Sequence, residues 1–158
     1  MATAMVSIDL REEEGSSHEP EEIVAWEDAS RPSGRLLRSQ RLELQAETEH
    51  ARGILGTHDQ EDFYSEAALD RAVAFLEMHL EKLWRSYGFR APIPTIGPGP
   101  AGSVDLFWER NSWKLLVNIP ATPDAMATFY ADDRGRQRTK GSFDSNEFSP
   151  SIAACLTH

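Results

Sequence analysis

The sequence predicts an α+β fold, in which one long amphipathic helix packs on an antiparallel sheet of about four strands and a short helix ends the chain. Three observations support this prediction. An apolar face recurs at steps of three and four residues between Ser65 and Tyr87, and short segments after Gly102 alternate apolar with polar residues. Residues 1–30 contain nine acidic side chains and one basic side chain, which predicts an acidic, partly disordered N-terminal arm.

The charge pattern predicts two regions, with an acidic arm over residues 1–60 and the helix-on-sheet domain over residues 61–158. Glutamate clusters break any apolar period in the arm, so we expect it to be poorly or conditionally ordered. Leu42, Leu44 and Ala46 alternate with polar neighbours, and this period of two predicts a short strand there.

An apolar island interrupts the acidic part of the arm. Ile23, Val24 and Trp26 lie between acidic clusters, and an island of this kind in a disordered segment often docks on a partner. Packing of Trp26 on its own domain is the alternative, because Trp is buried in most proteins. We interpret these three residues as candidates for partner binding.

The long helix has clear predicted ends. Asp62 or Ser65 caps its free N–H groups, and Gly88 takes the left-handed conformation that ends it. His79 is interpreted as a surface or boundary residue. The apolar face consists of Leu69, Val73, Leu76, Leu80, Leu83, Trp84 and Tyr87.

The remaining chain predicts a sheet and a closing helix. Four prolines between Pro92 and Pro100 predict an extended strap, since proline forbids a helix there. Asp132–Gly135 is predicted to be a turn. The predicted strands cover residues 104–108, 113–119, 125–131 and an edge strand ending near Phe143, and a short helix follows within residues 146–157.

The alternation of the strands predicts apolar side chains on both faces of the sheet. Phe107 lies on the face opposite Trp108, and Leu116 lies opposite Leu115 and Val117. One helix covers only one face, so Phe107 and Leu116 are further candidates for partner binding. We therefore expect self-association or a complex with another protein, as a dimer or a heterocomplex rather than a monomer.

Arg134, Arg136, Arg138 and Lys140 form the densest basic stretch, and the last three are predicted to share one strand face. This pattern predicts a site for anions. One candidate ligand is the acidic arm itself, of this chain or of a second copy. Nucleic-acid binding through this edge strand is an alternative, but the net charge of −10 disfavours it.

Asp105, Asp132 and Asp133 are weak candidates for a metal site, because carboxylates are the ligands that Mg²⁺ and Ca²⁺ prefer. Their spacing matches no calcium loop, and a solvated turn is the favoured interpretation of the Asp pair. A small metal-dependent hydrolase or nuclease that uses these residues is the alternative function.

The sequence contains none of the strong catalytic motifs, such as a phosphate loop, a nucleophile elbow or a paired-cysteine zinc motif. No catalytic residue and no cofactor is therefore predicted. The single Cys155 favours a reducing cytoplasm, and no apolar run is long enough to predict a membrane span.

Several short motifs together resemble a family of small uncharacterised bacterial proteins. They span about residues 84–145, and that family brings no established activity or catalytic residues. The resemblance implies an accessory or partner role in a bacterium. The motifs are Trp84-Arg85-Ser86-Tyr87-Gly88, Gly102-Ser103-Val104-Asp105-Leu106 with Trp108, Asn118-Ile119-Pro120, Tyr130 with Asp132-Asp133, and Lys140-Gly141.

The sequence as a whole predicts a non-enzymatic bacterial interaction protein, as an accessory subunit, an inhibitor or an antitoxin-like partner. We expect it to bind another protein through the acidic arm and the apolar sheet face, without a membrane.

Overall fold

The computed structural model describes residues 36–55 and 64–157, which belong to one compact unit, Pro32–His158. The acidic arm up to residue 30, with Ile23, Val24 and Trp26, lies outside the described residues. The helices are α1 (Arg38–Leu55), α2 (Glu66–Tyr87) and α3 (Pro150–Leu156). The strands are β1 (Thr95–Pro98), β2 (Val104–Glu109), β3 (Lys114–Ile119), β4 (Ala127–Asp132) and β5 (Arg138–Phe143).

The five strands form one antiparallel sheet in the order β1-β2-β3-β4-β5. This confirms the predicted α+β class, with one strand more than about four. The additional strand is β1, which lies within the proline-rich strap. Proline is tolerated there because β1 is at the edge of the sheet, where a missing N–H costs no ladder bond.

Helix α2 begins and ends as the sequence predicts. The Ser65 hydroxyl accepts a hydrogen bond from the Ala68 N–H at 3.1 Å, and Gly88 has φ 61°. The apolar face of α2 packs on β2 and β3. Burying each large side chain of this face contributes roughly 1.5–3 kcal/mol to stability.

One face of the sheet, the inner face, forms the core with α2. Its side chains come from all five strands and alternate with exposed or half-buried residues. The buried residues of this face are Ile96, Val104, Leu106, Trp108, Leu115, Val117, Ile119, Ala127, Phe129 and Phe143.

Helix α1 corrects the strand that the sequence predicted around Leu44. Its buried face consists of Gln40, Leu44, Thr48 and Ala51, at steps of four, four and three residues. Two of these four residues are polar, so the sequence does not show apolar residues at a helical period here. The Gln40 amide donates to the Ala91 carbonyl at 2.9 Å, and α1 therefore lies with the globular part rather than with the arm.

Helix α1 also covers one edge of the sheet. The Glu47 carboxylate accepts a hydrogen bond from the Ile96 N–H of β1 at 2.9 Å. On the next strand, the Trp108 indole donates to the Pro92 carbonyl at 2.9 Å and holds the strap that leads into β1.

Candidate protein-interaction surface

The second face of the sheet, the outer face, has no helix packed on it among the described residues. Cross-strand pairing places five side chains in one row across it. Phe107 and Leu116 are half-buried, and Tyr130 is 40% exposed. The members of this row, called the apolar row below, are Thr95, Phe107, Leu116, Tyr130 and Lys140.

The apolar row borders a shallow depression of about 520 Å³. Leu116 and Tyr130 line one side of it, and Asn118, Thr128 and Ser142 line the other. An apolar floor with hydroxyl and amide groups at its rim is the composition of a protein-binding surface.

A charged row crosses the outer face next to the apolar row. Glu109, Lys114, Asp132 and Arg138 lie opposite one another on four adjacent strands, so that the charges alternate in sign. The Lys114 ammonium lies 2.6 Å from the Glu109 carboxylate, and the Arg138 guanidinium lies 3.4 Å from that of Asp132. The hydrogen bond to Glu109 raises the pKa of Lys114.

A third row, the polar row, lies on the other side of the apolar row and contains Asp105 and Asn118, which lie opposite each other. Its hydrogen bonds fix the start of β2. The Asn118 amide donates to the Asp105 carboxylate at 2.6 Å and to the Ser103 hydroxyl at 2.7 Å. A Cβ at Gly99 would collide with the three side-chain atoms of this network, so a larger residue there would have to displace them. The network therefore joins Ser103 and Asp105 of the Gly-Ser-Val-Asp motif to Asn118 of the Asn-Ile-Pro motif.

The predicted metal candidates are not brought together. Asp105 and Asp132 lie two rows apart on the outer face, which is about 13 Å along the strands. Asp133 is in the turn after β4. No group of three or more His, Cys, Asp or Glu residues is arranged to hold a metal ion in the part of the chain that the structure describes.

The basic stretch is divided between a turn and a strand. Arg134 and Gly135 have φ angles of 45° and 77°, which defines a type I′ turn. The Asp132 carboxylate accepts the Gly135 N–H at 2.6 Å, and this bond lowers the pKa of Asp132. Arg136 follows in the turn, whereas Arg138 and Lys140 lie on the outer face of β5.

His79 is buried, which corrects its interpretation as a surface or boundary residue: it is 1% exposed. Its Nε2 accepts the Ser149 N–H at 2.9 Å, and its Nδ1 lies 3.0 Å from the Phe75 carbonyl oxygen. The ring lies between those of Phe75 and Phe148. Burial lowers the pKa of His79, and the residue holds the first turn of α3.

The cysteine of this sequence does not have the environment of an activated nucleophile. Cys155 is half-buried on α3, and burial raises the pKa of its thiol, which favours the unreactive protonated form. The same part of the chain has no helix that is both long enough and apolar enough to cross a membrane.

Comparisons with protein-family models, with curated proteins and with solved structures found no match to this chain. The functional interpretation therefore depends on the geometry of the outer face.

Proposed function

We propose that this protein is a non-enzymatic interaction protein, which binds another protein through the outer face of its sheet. One observation carries the proposal. Phe107, Leu116 and Tyr130 form an apolar row on a sheet face that no described helix covers. An apolar patch with a polar rim is typical of a protein-binding site.

The neighbouring rows support this interpretation. Lys114 and Arg138 lie in the charged row on one side of the apolar row, and each is paired with an acidic residue, so this side carries little net charge. Tyr is among the residues that contribute most to binding at the centre of an interface, since its ring packs and its hydroxyl forms hydrogen bonds. Tyr130 lies between Leu116, the middle residue of the apolar row, and Lys140 on the edge strand.

The acidic arm is the second part of the proposal. Trp26, with Ile23 and Val24, provides an apolar island that orders on the partner. The role proposed is that of an accessory subunit, an inhibitor or an antitoxin-like partner in a bacterial cytoplasm, as a dimer or a heterocomplex. A cytoplasmic location is supported by the single cysteine of the sequence.

A pair of matched leucine variants tests the outer face. Leu116→Lys places a charge on the apolar row, whereas Leu42→Lys makes the same change at a leucine on α1 that is 58% exposed. The tagged full chain and both variants are used to capture proteins from the native host, and circular dichroism checks that each variant is folded. We expect a stoichiometric partner with the parent chain and with Leu42→Lys, and its loss with Leu116→Lys.

Tyr130→Ser provides a second test that does not depend on a half-buried site. It should weaken capture of the same partner. Retention of that partner by both folded outer-face variants would contradict the proposal.

A further inference from the structure

The two edges of the sheet differ in how they are covered. At β1, the Glu47 carboxylate of α1 bonds the backbone N–H of Ile96. At the other edge, no described element pairs with β5. Its residues Arg138, Thr139, Lys140 and Ser142 are exposed.

The register identifies the backbone groups that β5 leaves open. The Asp133 N–H bonds the Gln137 carbonyl at 2.9 Å, and bonded pairs alternate with non-bonded pairs along an antiparallel ladder. Arg138, Lys140 and Ser142 are therefore the residues whose N–H and C=O groups point away from β4. An edge of this kind pairs readily with another extended chain.

Two of the three side chains on the outer side of β5, those of Arg138 and Lys140, are basic, and the third is that of Ser142. Lys140 has no carboxylate within 4.0 Å in the described part of the chain. The Arg138 guanidinium lies 3.4 Å from the Asp132 carboxylate, which is long for an ion pair. A strand paired with β5 places its own side chains about 5 Å from these two, measured between Cβ atoms. Carboxylates at those positions form favourable cross-strand pairs.

The inner side of β5 offers a different environment. A cleft of about 300 Å³ lies between the β4–β5 hairpin and α3, and its lining includes Thr139, Ala154 and Cys155. Gly141 follows on the same side of the strand, where the Phe129 ring lies against it. A strand paired with β5 directs alternate side chains towards this side, where small apolar groups fit.

We propose that the open edge of β5 accepts an extended acidic segment of a partner protein as a sixth strand. The segment alternates acidic residues, which face Arg138 and Lys140, with apolar residues, which face the side of α3. This goes beyond the proposed function, because the binding groups are the backbone and basic side chains of β5 rather than the side chains of Phe107, Leu116 and Tyr130.

The same charges disfavour two other occupants. A second copy that pairs antiparallel about Lys140 places Lys140 opposite Lys140, and like charges in that position are unfavourable. A nucleic acid satisfies the basic side chains but has no peptide groups to complete the ladder, and the net charge of the chain is −10.

The test uses the full chain and a capped nine-residue peptide that alternates Glu and Val. Two control peptides replace Glu with Lys or place the same residues in two blocks. Titration is followed by the backbone amide signals in NMR spectra. We expect binding of the alternating acidic peptide alone, with shifts and slowed exchange at the N–H groups of Arg138, Lys140 and Ser142.

Two pairs of variants separate charge from backbone pairing. Lys140→Glu should weaken binding about tenfold, whereas Lys82→Glu, at an exposed residue of α2, should change it less than about twofold. Ser142→Pro removes an outward N–H and should also weaken binding about tenfold, whereas Ser142→Ala retains that N–H and should bind normally.

The following results would contradict the inference. It fails if the block or lysine peptide binds as tightly, or if Lys140→Glu and Ser142→Pro have no effect. It also fails if a single-stranded DNA probe binds more tightly through Lys140, or if the free chain is a dimer that Ser142→Pro dissociates. Leu116→Lys should leave peptide binding unchanged, so the inference and the proposed function fail separately.

Discussion

Replacement of His79 with Phe tests the neutral, hydrogen-bonded state of the buried imidazole. The Ser149 N–H donates to Nε2, so this nitrogen carries a lone pair, and Nδ1 carries the proton that faces the Phe75 carbonyl. Phe retains the ring between Phe75 and Phe148 but leaves the Ser149 N–H buried without an acceptor. We expect His79→Phe to lower the free energy of unfolding by about 1–3 kcal/mol at neutral pH.

The dependence on pH has a defined sign. The unfolded chain binds a proton at this residue below about pH 6.5, whereas burial lowers the pKa in the folded protein. The unfolded state therefore binds more protons in that window, and the stability contributed by His79 is lost as the pH falls below about 6.5. Because His79 is one titrating group, its contribution to the free energy of unfolding falls by at most about 2 kcal/mol between pH 6.5 and pH 5.0.

Urea denaturation followed by circular dichroism measures both effects. The stability difference between the parent chain and His79→Phe should shrink between about pH 7.5 and pH 5.0, because the variant lacks this titration. His50→Phe, which removes an exposed imidazole on α1, provides the control for a general loss of histidine. An equal difference between parent and His79→Phe at both pH values would show that the assignment of a neutral ring is wrong.

Three further substitutions test the sheet. Gly141→Ala should lower the free energy of unfolding by about 1–3 kcal/mol in thermal denaturation, because its Cβ would lie 2.7 Å from the Phe129 ring. Gly97→Ala, with nothing within 4 Å of the new Cβ, should lower it less. Equal losses would contradict this packing. Lys114→Glu creates three adjacent acidic residues in the charged row and should lower Tm at low salt, with partial recovery in about 0.5 M NaCl; a loss that salt leaves unchanged would exclude charge as its cause. Asn118→Ala removes two hydrogen bonds and should cost about 1–3 kcal/mol in urea denaturation, and an unchanged midpoint would show that the polar row contributes no stability.

The sequence was informative where a side chain acts through its immediate neighbours. The caps of α2 at Ser65 and Gly88 follow from local hydrogen bonding and backbone conformation. The opposite faces of Phe107 and Trp108 follow from the period of two in a strand, and the structure confirms them.

The missed elements depend on distant contacts. The sequence predicts a strand around Leu44 instead of helix α1, because the polar Gln40 and Thr48 occupy half of the buried face of the helix. Gln40 bonds a carbonyl 51 residues away, which no local pattern reveals. His79 was missed for the same reason, since its partner Ser149 is 70 residues away. On the outer face, Phe107 and Leu116 could be placed from alternation, whereas Tyr130 could be placed in their row only from the register.

The meander order of the sheet has a consequence for how the chain folds. Each strand pairs with its neighbour in sequence, and the loops after β2, β3 and β4 contain four, seven and five residues. Short loops cost little entropy to close, so the hairpins are expected to form early. Helix α1 reaches its partner β1 only across about fifty residues, as the Glu47–Ile96 bond shows. Docking of α1 on β1 is therefore expected to follow formation of the hairpins, and its detachment in a partial unfolding event exposes the edge of β1 while the sheet persists.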